Sequence, residues 1–274
     1  MASTQTQEQH YKSAGQKLEG RVAMVTGGTR GIGAAICRSF IAQGAAVAAG
    51  YSRDRERAES FQSELARAGA PVSIHQGNVG SAEDCRRTIS EVIEHHGRLD
   101  ILVNNAGITS DKSVFKMTDE DWYKVIAVNL SGAFFMSQAA LHHMVERGTG
   151  RIVNISSIVG QMGNIGQVNY AASKSGLFGM TTTLAREAAH ALNRADKLEG
   201  NEVGITVNTV APGFIETDML ASVPEKVLDG IRAQVPVRRL GHPEEIARVV
   251  HFLAADASGY ITGQVWAVNG GHDM

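Results

Sequence analysis

The sequence has few cysteine, proline and aromatic residues, and neither sign of charge dominates it. Its 274 residues include 2 cysteines, 5 prolines and 5% aromatic residues, and the formal net charge is −2. Cys37 and Cys85 lie in separate segments without a C-x-x-C pattern, which predicts free buried thiols in a reducing compartment. A net charge near zero gives no support for nucleic-acid binding, and the apolar runs are too short to predict a membrane-spanning helix. We therefore expect a cytoplasmic protein without nucleic-acid or membrane partners.

The amino-terminal segment differs in composition from the rest of the chain. Residues 1–18 are rich in Gln, Ser and Thr and contain no apolar stretch of the kind found in signal peptides. We expect them to form a disordered extension. Residues 19–274 show no internal repeat and no Pro/Gly/Ser-rich linker, and the whole chain is 43% hydrophobic. A single domain, with a core that needs no disulfide, is therefore predicted for 19–274.

Short β-branched runs alternate with longer helical patterns from residue 21 onward. Several of these runs are apolar on both faces, which is typical of strands buried in a parallel sheet. The alternation predicts right-handed βαβ units in a Rossmann-type, doubly wound α/β sheet of about seven strands. The expected strands are 21–26, 45–51, 72–76, 100–104, 150–156, 204–210 and 264–268, and the expected helices are 31–43, 54–69, 81–96, 119–147, 167–192, 224–233 and 243–255.

Two segments depart from this alternation. Residues 190–203 are charged and polar, and we expect an extended helix end followed by a surface loop. Residues 213–240 form a longer connection than is usual and contain a short helical pattern. Long connections at such positions often act as lids over a binding site.

A glycine-rich turn ends the first predicted strand and begins the first predicted helix. Residues 26–33 read T-G-G-T-R-G-I-G. Glycines permit a tight turn and the close approach of a pyrophosphate, and the helix N-terminus offers free N–H groups. The spacing differs from G-x-G-x-x-G, and an ordinary strand-to-helix loop would look similar. The predicted cofactor contacts in this turn are Gly27, Thr29, Arg30, Gly31, Ile32 and Gly33.

The end of the second predicted strand bears on the choice of cofactor. A fold that binds NAD tends to place a carboxylate there for the ribose 2′-hydroxyl, but this chain has Tyr51, Ser52 and Arg53. Arg53, together with Arg30 from the glycine turn, could pair with a 2′-phosphate. The acidic residues at 54 and 56 weaken this inference, and both arginines could be solvated surface charges. The hypothesis is NADP(H) rather than NAD(H).

Tyr170 and Lys174 are four residues apart, so they share one face of a helix. A neighbouring ammonium favours the phenolate and is expected to lower the pKa of the tyrosine from about 10. The pair is therefore a candidate proton donor and its tuning group. The spacing also arises by chance, so its meaning depends on the other motifs.

Several separate motifs occur in one order along the chain. They are Thr26–Gly33, Asn104–Gly107 (N-N-A-G), Asn129, Ser157, Tyr170-x-x-x-Lys174 and Pro212-Gly213. With these motifs the chain resembles the short-chain dehydrogenases/reductases over about residues 18–274.

A narrower resemblance is carried by longer stretches. These are Val22–Gly33, Arg151–Ser157, Gly160–Tyr170, Thr206–Gly213 and Val235–Gly241, with Gly77–Val79 and Asn269–Met274. They are similar to the 3-oxoacyl-thioester reductases, which comprise the 3-oxoacyl-acyl-carrier-protein and acetoacetyl-CoA reductases. The last two stretches favour the acetoacetyl-CoA branch.

The resemblance implies a role for each catalytic candidate. A nicotinamide would deliver hydride to a ketone, Tyr170 would protonate the alkoxide, and Lys174 would lower the phenol pKa and bind the nicotinamide ribose. Ser157 would orient the substrate oxygen, although Ser156 offers an equally available hydroxyl. Asn129 would hold a water in a proton relay, or it could be a buried amide that stabilises a helix kink.

Further cofactor contacts are implied by the same resemblance. Asn78 stands where most of the family has an aspartate on the adenine amino group, and its oxygen can accept that hydrogen bond. The backbone of the N-N-A-G motif would line the adenosine ribose, while Asn105 supports the sheet. The implied contacts outside the glycine turn and the second strand are Asn78, Val79, Asn105, Ala106, Gly107, Tyr170, Lys174, Pro212, Gly213, Ile215 and Thr217.

The segment Ile158–Gln167 is expected to line one wall of the substrate site, with Phe214 and Met219 on the opposite side. Arg147 and Arg151 could meet the phosphates of CoA or an acidic carrier protein, or could be an ordinary exposed pair. The adjacent histidines do not converge on a helix, so no metal site is expected. The implied substrate residues are Ser157, Gln161, Met162, Gln167 and Phe214.

The resemblance implies NADPH-dependent reduction of a 3-oxoacyl thioester, either acetoacetyl-CoA or a 3-oxoacyl-carrier protein. It also implies a homotetramer in which helices 119–147 and 167–192 pack between subunits. Two alternatives stay open: a dehydrogenase of another secondary alcohol, such as a sugar, polyol or steroid, and a non-catalytic NADP(H) sensor. The complete catalytic set argues against the sensor, which needs only the nucleotide half.

Overall fold

A computed structural model describes residues 17–67, 69–198, 204–218, 220 and 223–274. Residues 1–16 of the predicted extension, the end of the 190–203 segment and Met219 lie outside the described residues. The ordered domain begins before residue 19, because Leu18 is buried in the core and its N–H donates to Gln43 O at 2.9 Å.

The strands of the described chain form one parallel sheet in the order β3-β2-β1-β4-β5-β6-β7. This order and the parallel pairing confirm the predicted doubly wound α/β fold. The strands are β1 Val22–Val25, β2 Ala46–Tyr51, β3 Val72–Gln76, β4 Ile101–Asn104, β5 Gly150–Ile155, β6 Ile205–Pro212 and β7 Val265–Val268.

The helices follow the predicted positions with two differences. A π turn, Ala127–Ser131, interrupts the helix expected at 119–147, and a single helical turn was not predicted between β5 and the helix that bears Tyr170. The α-helices are α1 Gly31–Ala42, α2 Arg55–Arg67, α3 Ala82–His96, α4 Asp119–Ile126, α5 Gly132–Arg147, α6 Val159–Met162, α7 Val168–Arg194, α8 Glu225–Gln234 and α9 Pro243–Ala254.

Helices pack on both faces of the sheet, and successive strand residues point to opposite sides. On one face Val25 belongs to a cluster with Phe40 of α1 and Val250 of α9. On the other, Met24 belongs to a cluster with Met136 of α5. Each fully buried side chain of this kind contributes about 1.5–3 kcal/mol through removal from water.

Among the described residues one helical run, Asp119–Arg147, is long and apolar enough to cross a membrane by length and composition alone. An 18-residue window within it has a mean hydropathy of 1.3, and 39% of that window is buried. Met136, Ala140 and Met144 within it are fully buried in the core cluster against the sheet. The π turn inside the run also carries a buried asparagine. These features are those of a helix packed within the domain.

The strand order reverses between β1 and β4, which places a crevice at the carboxyl ends of these two strands. The segments that leave β1, β4, β5 and β6 meet at this edge. They carry the glycine turn, the N-N-A-G motif, Ser157 and Pro212-Gly213. The fold therefore gathers the sequence motifs at one edge of the sheet.

Candidate active site

The glycine turn is shaped for close approach of a ligand backbone. Gly27 and Gly31 have φ of +61° and +50°, a region that side chains disfavour. A Cβ on Gly33 would lie 2.2 Å from Gly27 O, so no side chain fits there. Arg30 precedes α1 in an extended conformation, and no described side chain caps the helix. The first N–H groups of α1 thus remain available to an anion.

The glycine turn is locked to the end of β4 by side-chain hydrogen bonds. Thr26 Oγ1 accepts from the N–H groups of Asn105 and Ala106, both at 3.0 Å. Asn105 Nδ2 donates to Thr26 O at 2.9 Å and to Gly27 O at 3.2 Å. Asn105 thus supports the turn, and the backbone of 105–107 remains beside the crevice, so the two expectations for this motif are compatible.

A cleft of about 570 Å³ adjoins the glycine turn, and Thr29, Arg30 and Gly31 are among its lining residues. Arg53 is exposed and does not line it, whereas Arg57 of α2 does. Arg57 Nη1 lies 2.8 Å from Asp218 Oδ2, which ties α2 to the segment after β6. Sequence reasoning missed Arg57, although its position in the first turn of the helix after β2 was a usable signal.

Asn78, expected at the adenine, already makes local hydrogen bonds. Its N–H donates to Asp84 Oδ2 at 2.8 Å, and its Oδ1 accepts from Gly80 N at 3.1 Å. A carbonyl oxygen has a second lone pair, so a further donor can still be accommodated. Val79 O accepts from the Cys85 thiol at 3.2 Å, so Val79 packs against α3.

Tyr170 and Lys174 lie one turn apart on α7, with Lys174 Nζ 5.7 Å from the centre of the phenol ring. Lys174 is 3% exposed, and its Nζ donates to Ile155 O at 2.7 Å. Burial lowers the pKa of Lys174 to about 8.

The expected lowering of the Tyr170 pKa by Lys174 is not seen in this structure. Burial raises the Tyr170 pKa, the nearby Ser157 hydroxyl opposes the rise, and the Asp111 carboxylate adds to it. The physical reason is that the phenol loses water on burial, while the ammonium is directed at Ile155 O.

The two serines after β5 have different surroundings. Ser156 Oγ donates to the main-chain oxygen of Lys174 at 2.8 Å, so this hydroxyl joins β5 to α7. Ser157 Oγ accepts from Val159 N at 3.1 Å and is the hydroxyl that interacts with Tyr170. The structure therefore brings Ser157, rather than Ser156, to the phenol.

Asn129 lies in the π turn between α4 and α5 and is buried. Its Oδ1 accepts from Ile108 N at 2.9 Å, and its Nδ2 donates to Ile108 O at 3.0 Å and to Ser173 Oγ at 3.1 Å. A Cβ on Gly107 would lie 3.4 Å from Lys174 Nζ and 3.5 Å from Asn129 Oδ1. Asn129 thus stabilises an irregular helix turn, a feature frequent at functional sites, and faces the same space as Lys174.

The expected substrate wall is joined to the loop after β4. Gln167 Nε2 donates to Asp111 Oδ2 at 2.9 Å, and Lys112 N donates to Gly166 O at 2.9 Å. Gln161 and Met162 of α6 are exposed beside this contact. Asp111 is a site residue that sequence reasoning missed, because its partner lies 56 positions away.

The segment after β6 faces the glycine turn from the other side. A Cβ on Gly31 would lie 3.4 Å from Thr217 Cγ2, so Thr217 is close to the turn. Gly213 N donates to Val268 O at 2.9 Å, while Pro212 ends β6. The Ile215 side chain is buried in the core cluster, so only its main chain is available to a cofactor. The ring of Phe214 lies 5.8 Å from that of His272.

Arg151 does not lie where a CoA phosphate could reach it. It is 2% exposed, and its Nη1 donates to Gly204 O at 2.9 Å while Nη2 lies 3.2 Å from Asp256 Oδ1. Its place in β5 is at the amino end of the strand, opposite the crevice. Both interpretations of Arg151, as an exposed surface residue or as a phosphate contact, are therefore wrong. Arg147 is partly exposed and lies 3.9 Å from Asp100.

Comparison with known proteins places these motifs in a family. Residues 27–273 match a family model described as enoyl-(acyl carrier protein) reductase. An acetoacetyl-CoA reductase of Rhizobium meliloti (strain 1021) is 50% identical over 252 residues, which cover 92% of this chain and 98% of the relative. An acetoacetyl-CoA reductase of Shinella zoogloeoides is 46% identical over the same shares.

A third relative comes from a different branch of the same group. The 3-oxoacyl-[acyl-carrier-protein] reductase FabG of Thermotoga maritima is 43% identical over 255 residues, covering 93% of this chain and 98% of the relative. The three relatives each cover more than nine tenths of this chain. The chain belongs to the short-chain dehydrogenase/reductase family.

Proposed function

We propose that this protein reduces a 3-oxoacyl thioester, either acetoacetyl-CoA or a 3-oxoacyl-carrier protein, to the 3-hydroxyacyl thioester with NADPH. The observation that carries the proposal is that Tyr170 and Lys174 lie one turn apart on α7 and that the Ser157 hydroxyl, just after β5, lies near the phenol. Relatives named for these two activities, 43–50% identical over most of the chain, support the substrate class.

The glycine turn fits a dinucleotide. Three features suit a pyrophosphate. Gly33 leaves no room for a side chain, Gly27 and Gly31 have positive φ, and the start of α1 is uncapped. NADP(H) rather than NAD(H) is supported by the absence of a carboxylate at the tip of β2. Arg30 also lines the cleft, and no described carboxylate lies within salt-bridge distance of it.

The residues of the site divide the work of ketone reduction. The bound nicotinamide supplies the hydride. Tyr170 donates the proton to the substrate oxygen, and its raised pKa keeps the phenol protonated at neutral pH. Ser157 holds the substrate oxygen by a hydrogen bond, and Lys174 provides positive charge beside the phenol as the proton is lost. Asn129 would order a water next to Lys174 for reprotonation.

The proposal includes a homotetramer in the cytoplasm with a small-molecule or carrier-bound acyl thioester as its partner. Exposed apolar side chains on the predicted subunit-facing helices and on the carboxyl-terminal strand support the assembly. These side chains are Tyr123, Phe134 and Val168 on α4, α5 and α7, and Phe252, Tyr260, Val265 and Met274 in the carboxyl-terminal region. Sedimentation as a monomer at micromolar concentration would refute the tetramer.

The test is a steady-state assay of cofactor oxidation. We expect acetoacetyl-CoA to be reduced with a kcat/KM for NADPH at least about tenfold above that for NADH, since one charge-assisted contact contributes 1.4 kcal/mol or more. Crotonyl-CoA is the control for enoyl reduction and should give no oxidation. Comparable values for the two cofactors would overturn the NADPH assignment, and turnover of sugars or steroids alone would overturn the substrate class.

A further inference from the structure

A row of buried polar side chains crosses the sheet beneath the catalytic residues. Asn104 Nδ2 donates to Asn154 Oδ1 at 2.9 Å, and Asn154 Nδ2 donates to Thr181 Oγ1 at 2.8 Å. The hydroxyls of Thr181 and Thr209 are 2.6 Å apart. Ser137 of α5 accepts a further bond from Asn104 at 2.9 Å. The row thus joins β4, β5 and β6 to two helices.

Stability alone gives little reason for these residue types. Asn154, Thr181 and Thr209 are each 0% exposed. Burying a polar group costs free energy unless its hydrogen bonds are made, and an apolar replacement of the same shape is often neutral. Asn104 Oδ1 has no partner among the described residues, so the row is not even fully satisfied. What the hydrogen bonds do supply is a fixed geometry.

The row touches three of the segments that carry site residues. Asn154 precedes Ser157 by three positions in β5, and Thr181 follows Lys174 by seven positions in α7. Seven residues are about two helical turns, so Thr181 lies on the same face as Lys174. Thr209 lies three positions before Pro212 in β6. The row is therefore connected to the proton donor, the orienting serine and the cofactor segment.

Two further bonds join α7 to β5 closer to the site. Lys174 Nζ donates to Ile155 O at 2.7 Å, and Ser156 Oγ donates to Lys174 O at 2.8 Å. The Asn154–Thr181 bond lies two turns further along the helix. Anchors at both places restrict the sliding and rotation of α7 over β5. Sliding by one residue would move the helix by 1.5 Å.

We propose that Asn154 and Thr181 are positioning residues for the reaction, because their hydrogen bond fixes α7 against β5 and thereby sets the distance between Tyr170 and Ser157. This inference rests on the proposed function. A misplacement of about 1 Å at a reacting group can reduce the rate about 100-fold. The residues contact neither substrate nor cofactor and act through the helix.

The test compares Thr181→Val, which removes the hydroxyl with little change of shape, with Thr181→Ser, which keeps it. We expect Thr181→Val to lower kcat for acetoacetyl-CoA by about 10- to 100-fold and Thr181→Ser to retain at least about half of the activity. The pH profile of kcat should shift in Thr181→Val, because the environment of Tyr170 changes. The Kd for NADPH, measured by fluorescence, should stay within about twofold in both variants.

Thr88→Val is the matched control, since Thr88 is a buried threonine on α3 outside the row. It should leave both kcat and the pH profile unchanged. If valine at 181 prevents folding, Thr181→Ala removes the same hydroxyl by truncation. A folded variant without the hydroxyl but with wild-type kcat and pH profile would overturn the inference, as would an equal loss in Thr181→Ser. Absence of wild-type turnover would instead count against the proposed function.

Discussion

Charged side chains are buried at both ends of strands β4 and β5, but their hydrogen-bond partners differ. At the amino end, Asp100 is 2% exposed and accepts bonds from Arg98 at 2.6 and 2.7 Å and from Val22 N at 2.9 Å. At the carboxyl end, Lys174 is buried as deeply and donates to a carbonyl oxygen, Ile155 O. One end pairs its charges with opposite charges, and the other does not.

The pKa shifts follow from this difference. At Asp100 burial would raise the pKa, but the bonds from Arg98 and Val22 N–H outweigh it and hold the pKa below its ordinary value. At Lys174 burial acts without an opposing carboxylate and lowers the pKa to about 8. Charge at the amino end thus stabilises the fold, while charge at the carboxyl end costs stability and is retained for the reaction.

Removing the unpaired charge should separate stability from activity most clearly. In Lys174→Met we expect kcat to fall by about 10²–10⁴-fold, the range for lost acid–base function. The free energy of unfolding at pH 7 should rise by up to about 3 kcal/mol, because a pKa of about 8 against 10.5 reflects unfavourable burial of the ammonium. Urea denaturation and steady-state kinetics check the two parts.

The pH dependence of the free energy of unfolding provides the control for Lys174→Met. The unfolded chain binds more protons than the folded one between pH 8 and 10.5, so wild-type stability should rise with pH in this window. Lys174→Met should lack this rise, and the exposed-lysine variant Lys226→Met should keep it. A Lys174→Met protein less stable than the wild type at pH 7 would contradict the account.

Removing the paired charge should have the opposite outcome. Asp100→Asn leaves the arginines around it without their carboxylate, and we expect a loss of about 3–5 kcal/mol in unfolding free energy. The kcat per folded molecule should not change, because the cluster lies at the far end of the strands. Asp256→Asn, at a carboxylate that is 46% exposed, is the milder control. A catalytic defect in folded Asp100→Asn would break the separation of the two ends.

The smallest effect is expected at Asp111. Its carboxylate contributes to the raised pKa of Tyr170, after burial and against the Ser157 hydrogen bond. Asp111→Asn keeps a hydrogen-bond acceptor for Gln167 but removes the negative charge, so the pKa of Tyr170 should fall. The loss of kcat at high pH, where the phenol is ionised, should then begin at a lower pH. A pH profile of kcat checks this, with Asp119→Asn in the first turn of α4 as a surface control. A shift of the kcat profile of Asp111→Asn to higher pH would contradict this expectation.

Much of the fold could be predicted because its signals are local. Each strand was placed within about two residues, since β-branched runs bounded by glycine and polar residues mark strands clearly. The π turn at Ala127–Ser131 was missed because no proline interrupts the helical pattern of 119–147. Within it the Asn129 side chain bonds to Ile108, a residue 21 positions earlier, and such a long-range contact leaves no local signal.

The site residues were found where a motif carries them and missed where a long-range contact defines them. Tyr170, Lys174 and Ser157 are recognisable by spacing and resemblance. Arg151 was interpreted as an exposed residue or a phosphate contact, but it is buried and pairs with Asp256, which is 105 positions away. The direction of Lys174 Nζ was likewise beyond the sequence, because it depends on how α7 lies on β5.

The most direct test of the central claim is kcat for NADPH-dependent reduction of acetoacetyl-CoA by the wild type and by Tyr170→Phe. The account predicts a fall of about 10²–10⁴-fold, because phenylalanine keeps the ring but has no proton to donate. The Kd for NADPH should remain close to the wild-type value. Turnover by Tyr170→Phe equal to that of the wild type would contradict the assignment of Tyr170 as the proton donor.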